Sequence, residues 1–354
     1  MKILSLGLDN SLLDKNSHLA GRVVEYGGIV DKYTIIVPAR KDEEIILSGK
    51  VRAYGRGGCN KIIKFFRVFS LAKKLLRGEK YDLITVQDQY FLGWLALKLA
   101  RRFKIGLEIQ VHGFEKFFGL RKIIAKFVIP KADAVRAVSQ KLKKKLINDF
   151  GVKEEKITVA PIYVERTTHN VERTTHNSQF IFLTVGRLVP VKNISLQIKA
   201  MKEINAELWI VGDGPLTSDF GRRISDLKLN NKIKLLGWQS DLEKFYSQAD
   251  AFLLTSNYEG WGMAVIEAAR SGLPIIMTDV GCAEEVIKNG ESGIVIPVDN
   301  QRELEKAMIK LIDNPELRKK LGEGAREAVK KLPSKEETLK LYLESWKKAA
   351  LLNV

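Results

Sequence analysis

Residues 255–281, "TSNYEGWGMAVIEAARSGLPIIMTDVG", follow directly on the apolar run "AFLLTS" (251–256), which has the length and composition of a buried strand. Glu259 comes next, then Gly260 and Gly262 on either side of Trp261. A helical pattern starts at Met263 and contains Glu267, and Gly272-Leu273-Pro274 leads into a second strand, "LPIIMTD" (273–279). Strand, helix and strand at this spacing form the crossover unit of a parallel sheet. Glycines at the first turn let backbone approach a ligand closely, and amides at the start of a helix attract phosphate, so an anion site is expected over 260–264. Glu259 stands before the turn and Glu267 eight residues later inside the helix. The two carboxylates can therefore grip hydroxyls at opposite ends of one molecule, as an acidic residue grips ribose in dinucleotide folds. A molecule with phosphate in its middle and a polyol at each end fits, which is the composition of a nucleotide sugar.

The same alternation extends in both directions. Strand patterns recur at 2–8, 33–39, 50–54, 82–87, 105–111, 133–139 and 156–161, and again at 179–186, 206–212, 232–237, 251–256, 273–279 and 292–298, with helical patterns between. The implied architecture is α/β, with two tandem Rossmann-like doubly wound domains facing across a cleft. We expect an acceptor-side or membrane-facing domain over 1–163, a linker over 164–178 and a nucleotide-sugar domain over 179–331. The segment 332–354 reads as a helix capped by Ser334 with Glu337 three residues on, long enough to cross back to the first domain.

The chain has 354 residues and a net charge of +17. Division at Tyr163 localises that charge: residues 1–163 hold 32 Lys and Arg against 16 Asp and Glu, and the remainder 27 against 26. An anionic partner is expected for the first domain. Basic residues interleave with apolar ones in 56–80 and 114–146, a mixture suited to an anionic membrane surface. No apolar run approaches the ~18 residues of a membrane span, and Met1 leads straight into a strand pattern, so a cytoplasmic, peripheral location is expected. A nucleic-acid partner is not expected, because Glu259 and Glu267 would repel a phosphate track. Cys59 and Cys282 stand far apart without a metal-like or paired arrangement, and both are expected to be packing residues.

A second constellation precedes the glutamate motif. In "TVGRLVPVKNISLQIKA" (184–200), Gly186-Arg187 ends a strand and Lys192-Asn193 opens a helix. Both cations then emerge at the carboxyl edge of the sheet, where they can neutralise a diphosphate as it leaves. The order G-R-L-x-x-x-K-N, "VGDGP" (211–215), "GWQSDLEKFYSQAD" (237–250), E-G-W-G-x-x-x-x-E and "SGLPII" (271–276) resembles the C-terminal domain of the retaining glycosyltransferases of family 4, also called group 1, which have the GT-B fold. The first half is similar more loosely, through its alternating elements and "VHGFE" (111–115).

The resemblance implies a hexosyltransferase that moves sugar from a UDP- or GDP-sugar to a glycan or lipid-linked acceptor in cell-envelope synthesis. It implies that Arg187 and Lys192 bind the diphosphate, that Glu259 contacts the transferred sugar, and that Gly260, Trp261, Gly262 and Met263 offer amides. Glu267 would hold the ribose, while Gly186, Gly212, Asp213, Gly237 and Trp238 would border the nucleotide, and His112 would lie near the reacting sugar. Neither metal nor cofactor is expected, since no Asp-x-Asp is placed to bridge a diphosphate. A sugar phosphorylase or epimerase on the same fold is the alternative. One departure concerns the first strand–helix loop, "GLDNSLLDKNSHLAG" (7–21), which offers Asp9, Asn10, Ser11 and Asp14 where many relatives have paired glycines.

The heptad VERTTHN occurs twice in succession, at 164–170 and 171–177, at the expected domain boundary. It has one apolar residue per copy, and two copies are too few for a repeat architecture. Doubling a flexible loop adds only about 0.6 kcal/mol of closure entropy. Deletion of 171–177 is therefore expected to leave the melting temperature and nucleotide release almost unchanged; a large loss of release would show that linker length sets activity.

Overall fold

The computed structural model describes residues 1–114, 117–164 and 179–351. The chain forms two compact units, Met1–Pro161 with Ser334–Val354, and Ile162–Pro333. Most of the duplicated heptad lies outside the described residues. The handover occurs just ahead of it: the Arg270 guanidinium donates to the Val164 carbonyl and lies 6.0 Å from the Tyr163 ring centroid, tying these residues to the second unit.

In the first unit the chain runs β1 (Lys2–Leu6), α1 (His18–Gly28), β2 (Lys32–Pro38), β3 (Glu43–Ser48), β4 (Val51–Arg56), α2 (Lys61–Gly78), β5 (Leu83–Val86), α3 (Phe91–Phe103), β6 (Gly106–Val111), α4 (Gly119–Val128), β7 (Ala134–Ala137), α5 (Gln140–Phe150) and β8 (Ile157–Val159). The sheet order is β3-β4-β2-β1-β5-β6-β7-β8, and β3 alone among the described strands is antiparallel. The sequence patterns miss β3. Its paired acids Glu43 and Glu44 suit an edge strand, where charge discourages further pairing, and its alternating half-burial lacks the apolar run of the central strands. The polar side chains of the first loop serve that loop's own backbone. Asp9 accepts from Ser11 N, Asp14 from Asn16 N, and Ser17 caps α1 through Ala20 N.

The second unit contains β9 (Ile181–Val185), α6 (Ile194–Ala200), β10 (Glu207–Val211), α7 (Thr217–Asp226), β11 (Ile233–Gly237), α8 (Glu243–Gln248), β12 (Ala251–Leu254), α9 (Met263–Arg270), β13 (Ile275–Thr278), β14 (Ile294–Ile296), α10 (Gln301–Asp313) and α11 (Pro315–Lys330). The described strands all run parallel in the order β11-β10-β9-β12-β13-β14. This is the doubly wound arrangement, and its direction of winding reverses between β9 and β12, where such sheets bind ligands outside their carboxyl ends. One expected helix is absent: the connection from β13 to β14 is built of turns and isolated bridges. Gly281, Glu284 and Gly290 take positive φ there, which an α-helix does not admit.

The last helix, α12 (Lys335–Leu351), belongs to the first unit. Ser334 and Glu337 form a reciprocal capping box, with Glu337 N donating to Ser334 Oγ and Ser334 N to Glu337 Oε2. The helix is anchored on a fully buried carboxylate, Glu108 of β6. That carboxylate accepts from Ser345 Oγ at 2.6 Å, from Trp346 Nε1 at 3.1 Å and from Thr85 Oγ1, with Arg136 Nε 3.4 Å away. The Arg136 guanidinium lies 3.6 Å from the ring centroid of Tyr342, also on α12. A buried charge persists only while its partners do. Trp346→Phe removes one donor and is expected to cost about 1.5–3 kcal/mol, and Trp346→Ala about 3–5 kcal/mol, in urea unfolding followed by far-ultraviolet circular dichroism.

Candidate active site at the carboxyl edge of the second sheet

Three sequence-predicted elements converge where the winding reverses. The loop after β9 leaves the sheet at Gly186 and makes one 3-10 turn over Pro190–Lys192. It enters α6 through Asn193, whose φ of 47° is left-handed. Asn193 Nδ2 donates to Asn257 Oδ1 at 3.1 Å and to Asp299 Oδ1 at 3.0 Å, and Asn257 N donates to the Val191 carbonyl at 2.8 Å. The loops after β9, β12 and β14 are thus stitched together, and Lys192 is carried to Glu259. Lys192 Nζ lies 2.5 Å from Glu259 Oε1, and Ser256 Oγ donates to the same oxygen at 2.7 Å. The Thr278 hydroxyl in turn holds the Ser256 carbonyl at 2.7 Å. The Glu259 side chain is only 9% exposed, so this pair is better shielded from water than a surface ion pair. Arg187 is exposed on the same loop.

The floor of the site is backbone. A Cβ on Gly212 (φ 132°) would stand 2.0 Å from the Gly186 carbonyl oxygen, and one on Gly214 would stand 2.5 Å from that of Leu188. Only glycine lets the β9 and β10 turns touch. Asp213 between them is exposed. Its Oδ1 accepts from Thr217 Oγ1 and from Gly214 N, and these bonds hold its carboxyl below the usual carboxylate range. Gly237, with φ of 65°, turns the chain after β11, and the next side chain, Trp238, is 73% exposed.

Glu259 leads into Gly260, Trp261 and Gly262. The Trp261 indole is buried, so this residue can offer a ligand only its backbone; its Nε1 has no hydrogen-bond partner among the described residues. Gly262 (φ 101°) is the N-cap of α9, and no side chain caps that helix start. An uncapped N-terminus beside Met263 leaves the amide dipoles to favour an anion. The sequence patterns overlooked three supports. Gly281, at φ 56°, packs against the Trp261 carbonyl at a distance no Cβ could tolerate. Ser256 orients Glu259, as described above. Tyr246 of α8 donates its hydroxyl to Glu267 Oε2 at 2.8 Å. Gly281 and Tyr246 are separated from the glutamate motif in sequence, and only the packing of α8 and the β13 turn against α9 identifies them.

His112 lies in the first unit, immediately after β6, and the adjoining Gly113 carbonyl accepts from Gln89 Nε2 at 2.7 Å. Desolvation, with Arg136 and Arg22 adding positive charge, lowers the His112 pKa to about 4 and keeps the ring neutral near pH 7. Cys282 is buried, but Cys59 is exposed in the turn that leads into α2 and is not the packing residue expected.

Two parallel-sheet units of this kind define the GT-B architecture of nucleotide-sugar-dependent glycosyltransferases. The family model "Glycosyl transferases group 1" matches residues 165–328, and "Glycosyltransferase Family 4" matches 31–166. Between them they span residues 31–328 of this chain, which belongs to the group 1 glycosyltransferases. An uncharacterised glycosyltransferase of Methanocaldococcus jannaschii is 27% identical over 270 residues, 74% of each chain. The UDP-Gal:alpha-D-GlcNAc-diphosphoundecaprenol alpha-1,3-galactosyltransferase of Escherichia coli is 27% identical over 284 residues, 72% of each chain. The crystal structure of Anabaena HepE in complex with UDP has the same fold, with a TM-score of 0.77 at 18% identity, covering 98% of this chain and 100% of that one.

Burial raises the pKa of Glu267, with Tyr246 and Arg270 opposing the shift. A carboxyl whose folded pKa exceeds its unfolded value favours folding while protonated and costs stability as pH rises through the folded pKa. Glu267→Gln is therefore expected to melt above wild type at pH 8, the gap closing below about pH 4, where the unfolded-state glutamate is protonated too. A gap independent of pH in differential scanning calorimetry would show that Glu267 carries no strain.

Proposed function

We propose that this chain is a retaining hexosyltransferase that uses a UDP- or GDP-sugar and glycosylates a hydroxyl of a lipid-linked or polysaccharide acceptor in cell-envelope glycan synthesis. The observation that carries this reading is the Lys192–Glu259 pair at the reversal point of the second sheet, beside the uncapped start of α9. A diphosphate presented there meets Lys192, Arg187 and the amides of Gly260 to Met263, so the charge that develops on it as it departs is neutralised. Glu259 is then shared between Lys192 and the hydroxyls of the transferred sugar. Glu267, held by Tyr246 through one oxygen, keeps the other for the ribose. Gly212, Asp213, Gly237 and Trp238 border the base.

In the reaction the bond from the anomeric carbon to the phosphate oxygen breaks and the nucleotide leaves with the electron pair. The acceptor oxygen bonds to the same face of that carbon, and its proton passes to the departing phosphate. Two lysine and arginine charges can stabilise the leaving diphosphate without a metal ion, and the lipid-linked acceptor named for the Escherichia coli relative supports the acceptor class.

The test is nucleotide release from UDP-, GDP- and ADP-sugars, with and without EDTA, in a broad acceptor mixture. Lys192→Ala and Glu259→Ala are each expected to lower kcat by about 10²–10³, with EDTA leaving the wild type unaffected. The anomeric configuration of the product, read by NMR, is expected to match the donor. Absence of release from every donor by folded wild-type protein would overturn the reading.

A further inference from the structure

The first unit presents a surface that neither folding nor the site in the second unit explains. Helix α2 buries Val68, Ala72 and Leu76, but ahead of them it leaves Ile62 at 77% and Phe66 at 69% exposure. Helix α4 buries Ala125 and Val128, while the stripe Leu120, Ile123 and Phe127 on another side stands exposed, preceded by Phe118 at 69%. Helix α3 lies between them and packs against both. Phe65 stacks on Phe91 with centroids 5.6 Å apart, and Arg121 lies 5.7 Å from the Tyr90 ring. These contacts bring the starts of α2 and α4 to the two sides of the start of α3. The exposed apolar side chains therefore adjoin across three helices, instead of being scattered singly as surface hydrophobics ordinarily are.

The charge on these helices has one sign, and the acid just ahead of α3, Asp88, interacts with Arg121. None of the three helices contains an Asp or Glu. Lys61, Lys64, Arg121, Lys122 and Lys126 stand among the apolar residues, and none forms an ion pair with another described residue. No described helix is long and apolar enough to cross a membrane.

We propose that the starts of α2 and α3 together with α4 form one docking face for an anionic lipid bilayer, with Ile62, Phe66, Phe118, Leu120, Ile123 and Phe127 entering the boundary between headgroups and acyl chains. The lysines and Arg121 supply the charge complement to the headgroups of an anionic surface. The long aliphatic stems of the lysines let their ammonium groups stay at headgroup level while the apolar stripe sinks below them. Polynucleotide is a poor occupant, because Ile62, Leu120 and Ile123 can neither stack on bases nor pair with phosphates. The inference rests on this surface and not on the donor chemistry, so vesicle binding and nucleotide release can fail separately.

The full chain is floated with vesicles of phosphatidylcholine alone, and of phosphatidylcholine with about one third phosphatidylglycerol, and binding is expected to be at least about tenfold stronger on the anionic vesicles. Raised salt is expected to weaken it, since screening shortens the reach of the lysines. Phe66→Ser with Ile123→Ser, and separately Lys64→Glu with Lys122→Glu, are each expected to reduce binding to anionic vesicles about tenfold or more, while circular dichroism and nucleotide release in solution stay unchanged. Equal binding to neutral and anionic vesicles overturns the proposal, as does wild-type binding by both folded variants. Sedimentation of the lipid-free wild type as a dimer that Phe66→Ser with Ile123→Ser converts to monomer also overturns it, by showing that a second copy covers the face.

Discussion

The chemistry of the second unit depends on one steric constraint: at Gly212, Gly214 and Gly281 there is no room for a Cβ. Each of these glycines lets one turn at the carboxyl edge of the sheet touch another through bare backbone. If the β9 and β10 turns stood one side chain further apart, the loop from Gly186 to Asn193 would lose its footing on Gly212 and Gly214. Lys192 would then not reach Glu259. The Gly281 contact does the same for the glutamate turn, fixing the Trp261 carbonyl and with it the start of α9. The geometry of the candidate site is a result of close backbone packing, and its polar groups are placed by it.

The two units handle buried charge in different ways. Glu108 is surrounded by donors from β5, β7 and α12, and this charge joins the C-terminal helix to a sheet whose strands precede it by some two hundred residues. Its role is positional, with every partner supplied from within the unit. Glu267 is half-buried with a raised pKa, and the Tyr246 hydroxyl is its one hydrogen-bond donor among the described residues.

Much of this was legible in the sequence because it rests on local rules. Strand and helix periodicities gave the two α/β units, and turn glycines beside Glu259 and Glu267 marked the sheet edge. The doubled heptad and the change in charge at Tyr163 lie near Pro161 and Ile162, where the chain passes from one compact unit to the other. Local rules also explain the misses. The charged edge strand β3 has no apolar run, and the β13–β14 connection has a helix-like composition but contains residues forced to positive φ. Cys59 is exposed and not packed, because a cysteine's burial depends on what covers it, which its neighbours in sequence do not reveal.

The sequence by itself therefore determined the fold class and the family and pointed to Lys192, Glu259 and Glu267 as candidate site groups, since each follows from short-range pattern and spacing. Tertiary structure alone decided which groups meet. Lys192 with Glu259, Tyr246 with Glu267 and Trp346 with Glu108 lie from 21 to 238 residues apart. It also decided that the apolar residues of α2 and α4 divide between a buried and an exposed side. Both facts come from the packing of helices against a parallel sheet, which sets contacts by strand order and not by distance along the chain.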